Sequence, residues 1–92
     1  MDPRKRLVRK EILRVLKIAD HFGATANVIA ESLMAGGESV TIPEIEQHLQ
    51  YLAGEGKGYV RVEELEVEGL GRRVHATLLP KGIDLLEGNI PA

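Results

Sequence analysis

Residues 41–62, TIPEIEQHLQYLAGEGKGYVRV, carry a helix start, a helix stop and the opening of a strand in one short run. Thr41 and Glu44 have the S/T-x-x-E spacing of a capping box, and Val40 and Ile45 stand where a hydrophobic staple would fix the entering chain. Ile42, Ile45, Leu49 and Leu52 recur at helical spacing and are expected to face inward. The opposite face is then Pro43, Glu46, Gln47, Gln50, Tyr51 and Gly54, with Glu44 and His48 on one flank. Gly54, Gly56 and Gly58 break the helix, and Tyr59 to Val67 (YVRVEELEV) is rich in strand formers. From Val40 to Leu52 there are two carboxylates and no Lys or Arg.

Downstream, Val60 and Val62 share one face of the expected strand while Leu65 and Val67 share the other, a phase change that predicts a bulge near Glu63–Glu64. Gly69-Leu70-Gly71 is the turn. Arg72 to Leu79 returns, with Val74, Ala76 and Leu78 on one face and Arg73, His75, Thr77 and Leu79 on the other. Pro80 opens a short helix with Ile83 and Leu86 inward and Gly88 past its end. Residues 1–88 read as a single domain and 89–92 as a frayed tail.

Upstream, Asp2 followed by Pro3 is a helix start. Val8, Ile12, Val15, Leu16, Ala19 and Phe22 follow at helical spacing up to Gly23, giving a long amphipathic helix with a basic outer face. Thr25 or Asn27 can cap a second helix, whose apolar stripe is Ala26, Ile29, Ala30 and Leu33 and whose stop is Gly36-Gly37.

The resulting order is helix, helix, helix, hairpin, helix, an α+β arrangement. TIPEIEQHLQYLAGEGKGYVRV resembles a recognition helix, glycine break and strand of the winged helix-turn-helix family, and HATLLPKGIDLLEG resembles that family's return strand and closing helix around L-T-P-K-G. The likeness is to small bacterial regulators of the ArsR and MarR type and to the winged-helix proteins of Mu-like prophages. It implies a three-helix core followed by a β-hairpin wing and a short C-terminal helix. Two departures stand out: Leu79 replaces the threonine that caps the closing helix, and GEGKG is longer than the usual glycine turn.

The chain has 92 residues, 43% hydrophobic and 28% charged, enough for one small core. It has no Cys, which excludes a disulfide framework, a thiolate zinc site and a Cys nucleophile. MDPRKRLVRK lacks the apolar core of a signal peptide, so a soluble cytoplasmic protein off the membrane is expected. His21, His48 and His75 share no ligand spacing, Ser32 and Ser39 lack a G-x-S-x-G setting, and GEGKGY lacks the G-x-x-x-x-G-K-[ST] phosphate loop. The expectation is a protein that is not an enzyme, with no metal, no cofactor and no evident small-molecule substrate.

The formal net charge is −2, yet the charge is segregated. Residues 1–17 hold Arg4, Lys5, Arg6, Arg9, Lys10, Arg14 and Lys17, whereas residues 38–56 hold Glu38, Glu44, Glu46 and Glu55 with no cation. If the resemblance extends to function, the third helix enters the major groove of double-stranded DNA. Base-reading candidates are then Glu46, Gln47, Gln50 and Tyr51; phosphate candidates are Arg4, Lys5, Arg6, Arg9, Lys10, Lys57, Arg72 and Arg73. Alternatively Arg72 and Arg73 pair only with Glu66 and Glu68 across the hairpin. Two functions remain open: a DNA-binding transcriptional regulator, for which a homodimer through the first and closing helices is one arrangement, and a winged-helix protein-interaction or dimerisation module that binds no DNA.

Overall fold

The Asp2 carboxylate accepts the Arg4 backbone N–H at 2.9 Å and Pro3 occupies the first turn, starting α1 (Pro3–Ala19) as the sequence predicts. A computed structural model describes residues 2–90 of the chain; Met1, Pro91 and Ala92, and with them half of the predicted tail, lie outside the described residues. A 3₁₀ turn (Asp20–Phe22) follows α1, then β1 (Ala24–Thr25), α2 (Ala26–Ala35), α3 (Ile42–Leu52), β2 (Val60–Val67), β3 (Gly71–Leu78) and α4 (Pro80–Leu86). The fold is α+β, with four α-helices and an antiparallel three-stranded sheet of order β1-β3-β2.

One core holds these elements together. Val8, Ile12, Leu13 and Leu16 of α1 meet Ala26, Ile29, Ala30 and Leu33 of α2, Ile45, Leu49 and Leu52 of α3, and Val60, Val74 and Ala76 of the sheet. Thr25 proves to be the cap of α2, its hydroxyl accepting the Val28 N–H at 3.2 Å. Two expected core residues are outside: Phe22 is 76% exposed, because the helix ends at Ala19 and the 3₁₀ turn leads it away, and Ile42 is exposed in the first turn of α3. Leu13, absent from the expected stripe, is buried.

The hairpin contains no bulge. Its register runs unbroken from Val60 opposite Leu78 to Val67 opposite Gly71. Val62, Glu64, Val74, Ala76 and Arg72 therefore share the inner face, and Leu65, Val67 and Arg73 the outer one. The phase change in the sequence marks where the sheet leaves the core: beyond Val74 the hairpin overhangs, and Leu65 and Val67 lie exposed on its outer face. β1 pairs Ala24 with Ala76 and Thr25 with His75, a strand too short to leave a sequence pattern.

At the closing helix Leu79 makes no side-chain cap, in keeping with the missing threonine. Gly82 is buried against Tyr59, where an added Cβ would collide with the Tyr59 carbonyl oxygen. The close approach fastens α4 to the start of β2, and Leu85 and Leu86 pack on the core. Leu85 takes the inward place expected of Ile83, which is half-buried outside the cluster.

Candidate functional site

The exposed face of α3 runs across Glu46, Gln50, Pro43, Gln47 and Tyr51, and it is bounded on both sides by cations from other elements. Half of the predicted capping box forms: the Thr41 hydroxyl accepts the Glu44 N–H at 3.3 Å. Instead of returning to the Thr41 N–H, the Glu44 carboxylate lies 3.6 Å from the Arg4 guanidinium, which also donates to the Ser39 carbonyl. Its Oε2 is buried without a hydrogen-bond donor, so Arg4 is the nearest compensation for that charge. On the other side, Glu46 lies 3.9 Å from Arg72 of β3. Both acidic residues of the helix thus face an arginine from a different part of the chain.

His48, expected on one flank of the outward face, is only 8% exposed, with the Arg9 side chain of α1 lying against it. Its Nδ1 accepts from Arg9 Nε at 3.2 Å. The Arg9 guanidinium also sits 3.5 Å from the centre of the Tyr51 ring, and Lys57 sits 4.3 Å from it. Burial pushes the imidazole below its ordinary pKa and the Arg9 charge pushes the same way, against a smaller opposing pull from Glu44. The neutral ring with Nδ1 as acceptor is the form that suits Arg9.

Tyr51 belongs to a groove of about 720 Å³ between α1, the end of α3, the glycine break and α4. Arg6, Arg9, Lys10 and Lys57 line it above a floor that includes Leu13, Leu52 and Leu86, and among the described residues no carboxylate contributes to its walls. This positive groove continues from the Tyr51 end of the α3 face.

Arg72 reaches its position because the unbroken register puts it on the inner face with Glu64. It binds the Glu64 carboxylate at 2.7 Å, a diagonal contact in place of the expected pairing with Glu66. That hydrogen bond, with the positive charge behind it, holds the Glu64 carboxyl below its usual range. Arg73 does not join this surface. It stands on the outer face and donates to the carbonyls of Leu70 and Arg72, at 2.6 and 3.0 Å, rather than to Glu68.

Of the predicted residues, Glu46, Gln47, Gln50, Tyr51, Arg4, Arg9 and Arg72 come together around one helix, with Lys5 adding its charge beside His48. Arg6, Lys10 and Lys57 gather in the adjoining groove. Among the described residues Lys5, Arg6 and Lys10 make no ion pair. His48 was missed as a member of this site. The spacing of His48 and Tyr51, one turn apart on the same helix flank, was the available signal. Among the described residues no group of His, Asp and Glu is arranged to hold a metal, and no helix is long and apolar enough to cross a membrane. No protein-family model matches the chain, and no curated protein matches it either.

Proposed function

We propose that this chain is a small winged-helix protein that binds double-stranded DNA as a transcriptional regulator, of the kind found in bacteria and their prophages. The order of helices and hairpin supports the fold. One observation carries the function: an exposed face bearing two amides, Gln47 and Gln50, lies between Arg4 and Arg9 of α1 on one side and Arg72 of the hairpin on the other. α3 enters the major groove, where Gln47 and Gln50 match the paired donor and acceptor of an adenine edge and Glu46 can accept from a cytosine amino group. Tyr51 closes the reading face. Lys5, Arg6, Lys10 and Lys57 supply phosphate contacts from α1 and the glycine break, and Arg73 serves a phosphate only from the outer side of the wing.

The acidity of α3 does not oppose this reading. The exposed Arg72–Glu46 pair contributes about 0–1 kcal/mol, so a phosphate can draw Arg72 from Glu46 at little cost, whereas Arg4 stays beside the buried Glu44 Oε2. While paired, the same arginines offset carboxylates that would otherwise repel the backbone.

Titration of a labelled duplex at several salt concentrations tests the proposal. Affinity should fall steeply as salt rises, because several phosphates exchange their counterions for protein cations. Absence of binding even near about 50 mM salt, where non-specific binding of such proteins is ordinarily strong, contradicts it.

A winged-helix protein-interaction module is the competing reading. It is favoured by the outer face of the hairpin, where Leu65, Val67 and Leu70 are exposed. Under that reading Leu65→Glu damages partner binding and DNA is irrelevant; under the DNA reading Glu46→Lys tightens the duplex complex.

A further inference from the structure

The hairpin leaves the core with an open edge. β2 is the outer strand of the sheet, and from Glu63 to Val67 every residue of it is exposed. The Leu79 N–H donates to the Tyr59 carbonyl at 3.0 Å, one step before the pair of Val60 and Leu78. Hydrogen-bonded and open pairs alternate along an antiparallel ladder, so the odd-numbered residues of β2 turn their N–H and C=O groups to β3. Those of Val62, Glu64 and Glu66 turn the other way, and no strand among the described residues pairs with them. Such a row of unpaired backbone groups is a template for a further strand.

The side chains along this edge select the strand that fits. Residues 62–68, VEELEVE, hold Glu63, Glu64, Glu66 and Glu68 and no cation. Glu64 pairs with Arg72 and Glu63 with Arg61, whereas Glu66 and Glu68 make no ion pair among the described residues. Leu65 and Val67, 39% and 36% exposed, share the outer face. A second copy is a poor occupant. A two-fold axis on any residue from 63 to 67 sets Glu63 on Glu63, Glu64 on Glu64, Glu64 on Glu66, Glu66 on Glu66 or Glu66 on Glu68, like charges in every register. Charge complementarity calls instead for cations opposite Glu64 and Glu66 and apolar side chains opposite Leu65 and Val67. From these features we infer that the free edge of β2 takes up an extended segment of a partner protein in which Lys or Arg alternates with apolar residues. Backbone hydrogen bonds to Glu64 and Glu66 hold the segment, its apolar residues extend the Leu65–Val67 face, and its cations meet the acids on the other face. The inference is independent of DNA binding, since none of these residues serves a base or a phosphate in the proposed complex.

A fluorescent peptide of about seven residues alternating Lys and Val is the probe, added to the full chain at about 50 mM salt. It should bind with a Kd between roughly 10 µM and 1 mM, and a peptide with Glu in place of each Lys should bind at least about tenfold more weakly. With the Lys peptide near saturation, hydrogen exchange of the Glu64 and Glu66 amides should slow at least about fivefold, while that of Leu65, already bonded to β3, changes little. Glu66→Lys combined with Glu68→Lys should weaken the peptide at least about tenfold and leave the circular dichroism spectrum unchanged, because both side chains are exposed. No peptide binding up to about 1 mM, equal binding of the acidic peptide, undiminished binding by the double variant, or unchanged exchange at Glu64 and Glu66 would each overturn the inference. So would a dimer in which those two amides are protected without peptide, since the edge would then belong to a second copy.

Discussion

The guanidinium of Arg9 lies 3.5 Å from the centre of the Tyr51 ring while its Nε donates to Nδ1 of His48. One side chain of α1 therefore holds two residues of α3, one turn apart, beside the exposed amides of that helix. Arg9 keeps its terminal nitrogens for a further anion.

Replacing Arg9 by Ala should destabilise the fold by about 1–2 kcal/mol, the sum expected for a stacked cation and a partly buried hydrogen bond. Urea unfolding would measure it. Arg9→Lys should recover little, because an ammonium cannot stack its plane on Tyr51 and donate sideways to His48 together.

His48 makes stability depend on pH. Its folded pKa lies below the unfolded value near 6.5, chiefly through burial and then through Arg9. The unfolded chain then binds more protons than the folded one below about pH 6.5, so stability falls as pH is lowered through that value towards the folded pKa. Thermal melts between about pH 7.5 and 5 should show this decline, and His48→Gln should flatten the part of it due to this residue.

Gly82→Ala should loosen α4. The new methyl would meet the Tyr59 carbonyl oxygen, which sits in the backbone turning into β2 and cannot move aside freely. A loss of about 1–3 kcal/mol, typical of overpacking a buried contact, should appear in urea unfolding even though Ala is ordinarily the better helix former.

Glu46 sits beside Arg72 on the proposed reading face. Glu46→Gln should tighten non-specific duplex binding roughly three- to tenfold at low salt, by removing a charge near the phosphates and leaving Arg72 with Glu64 alone as its acidic partner. Fluorescence anisotropy with a random-sequence duplex would measure the change.

Much of this arrangement was legible in residue order. Asp2-Pro3 and Thr41 announced two helix starts, the stripe of Ala26, Ile29, Ala30 and Leu33 gave the buried face of α2, and Pro80 placed α4. These signals are local, so one sequence suffices to carry them. The failures were those of context. Phe22 continued a helical spacing that the backbone had already left at Asp20, whose φ is 57°. The switch of apolar residues between Val62 and Leu65 looked like a bulge, but it records the point where the sheet loses its core. Buried His48 could not be foreseen because its covering residue, Arg9, is 39 positions away. The same holds for the two acids of α3, whose meaning changed once Arg4 and Arg72 were found beside them.

In the proposed complex α3 reads DNA with its amides and draws its positive charge from α1, the glycine break and the hairpin. This mode of binding is tested most directly by comparing Gln47→Ala/Gln50→Ala with Lys5→Ala/Lys10→Ala on a preferred and a scrambled duplex across a salt series. The amide variant should bind both duplexes alike while keeping the wild-type salt slope; the lysine variant should keep its preference and lose roughly one to two from the slope. An amide variant that discriminates as well as wild type, or a wild-type protein that binds neither duplex, would contradict the account.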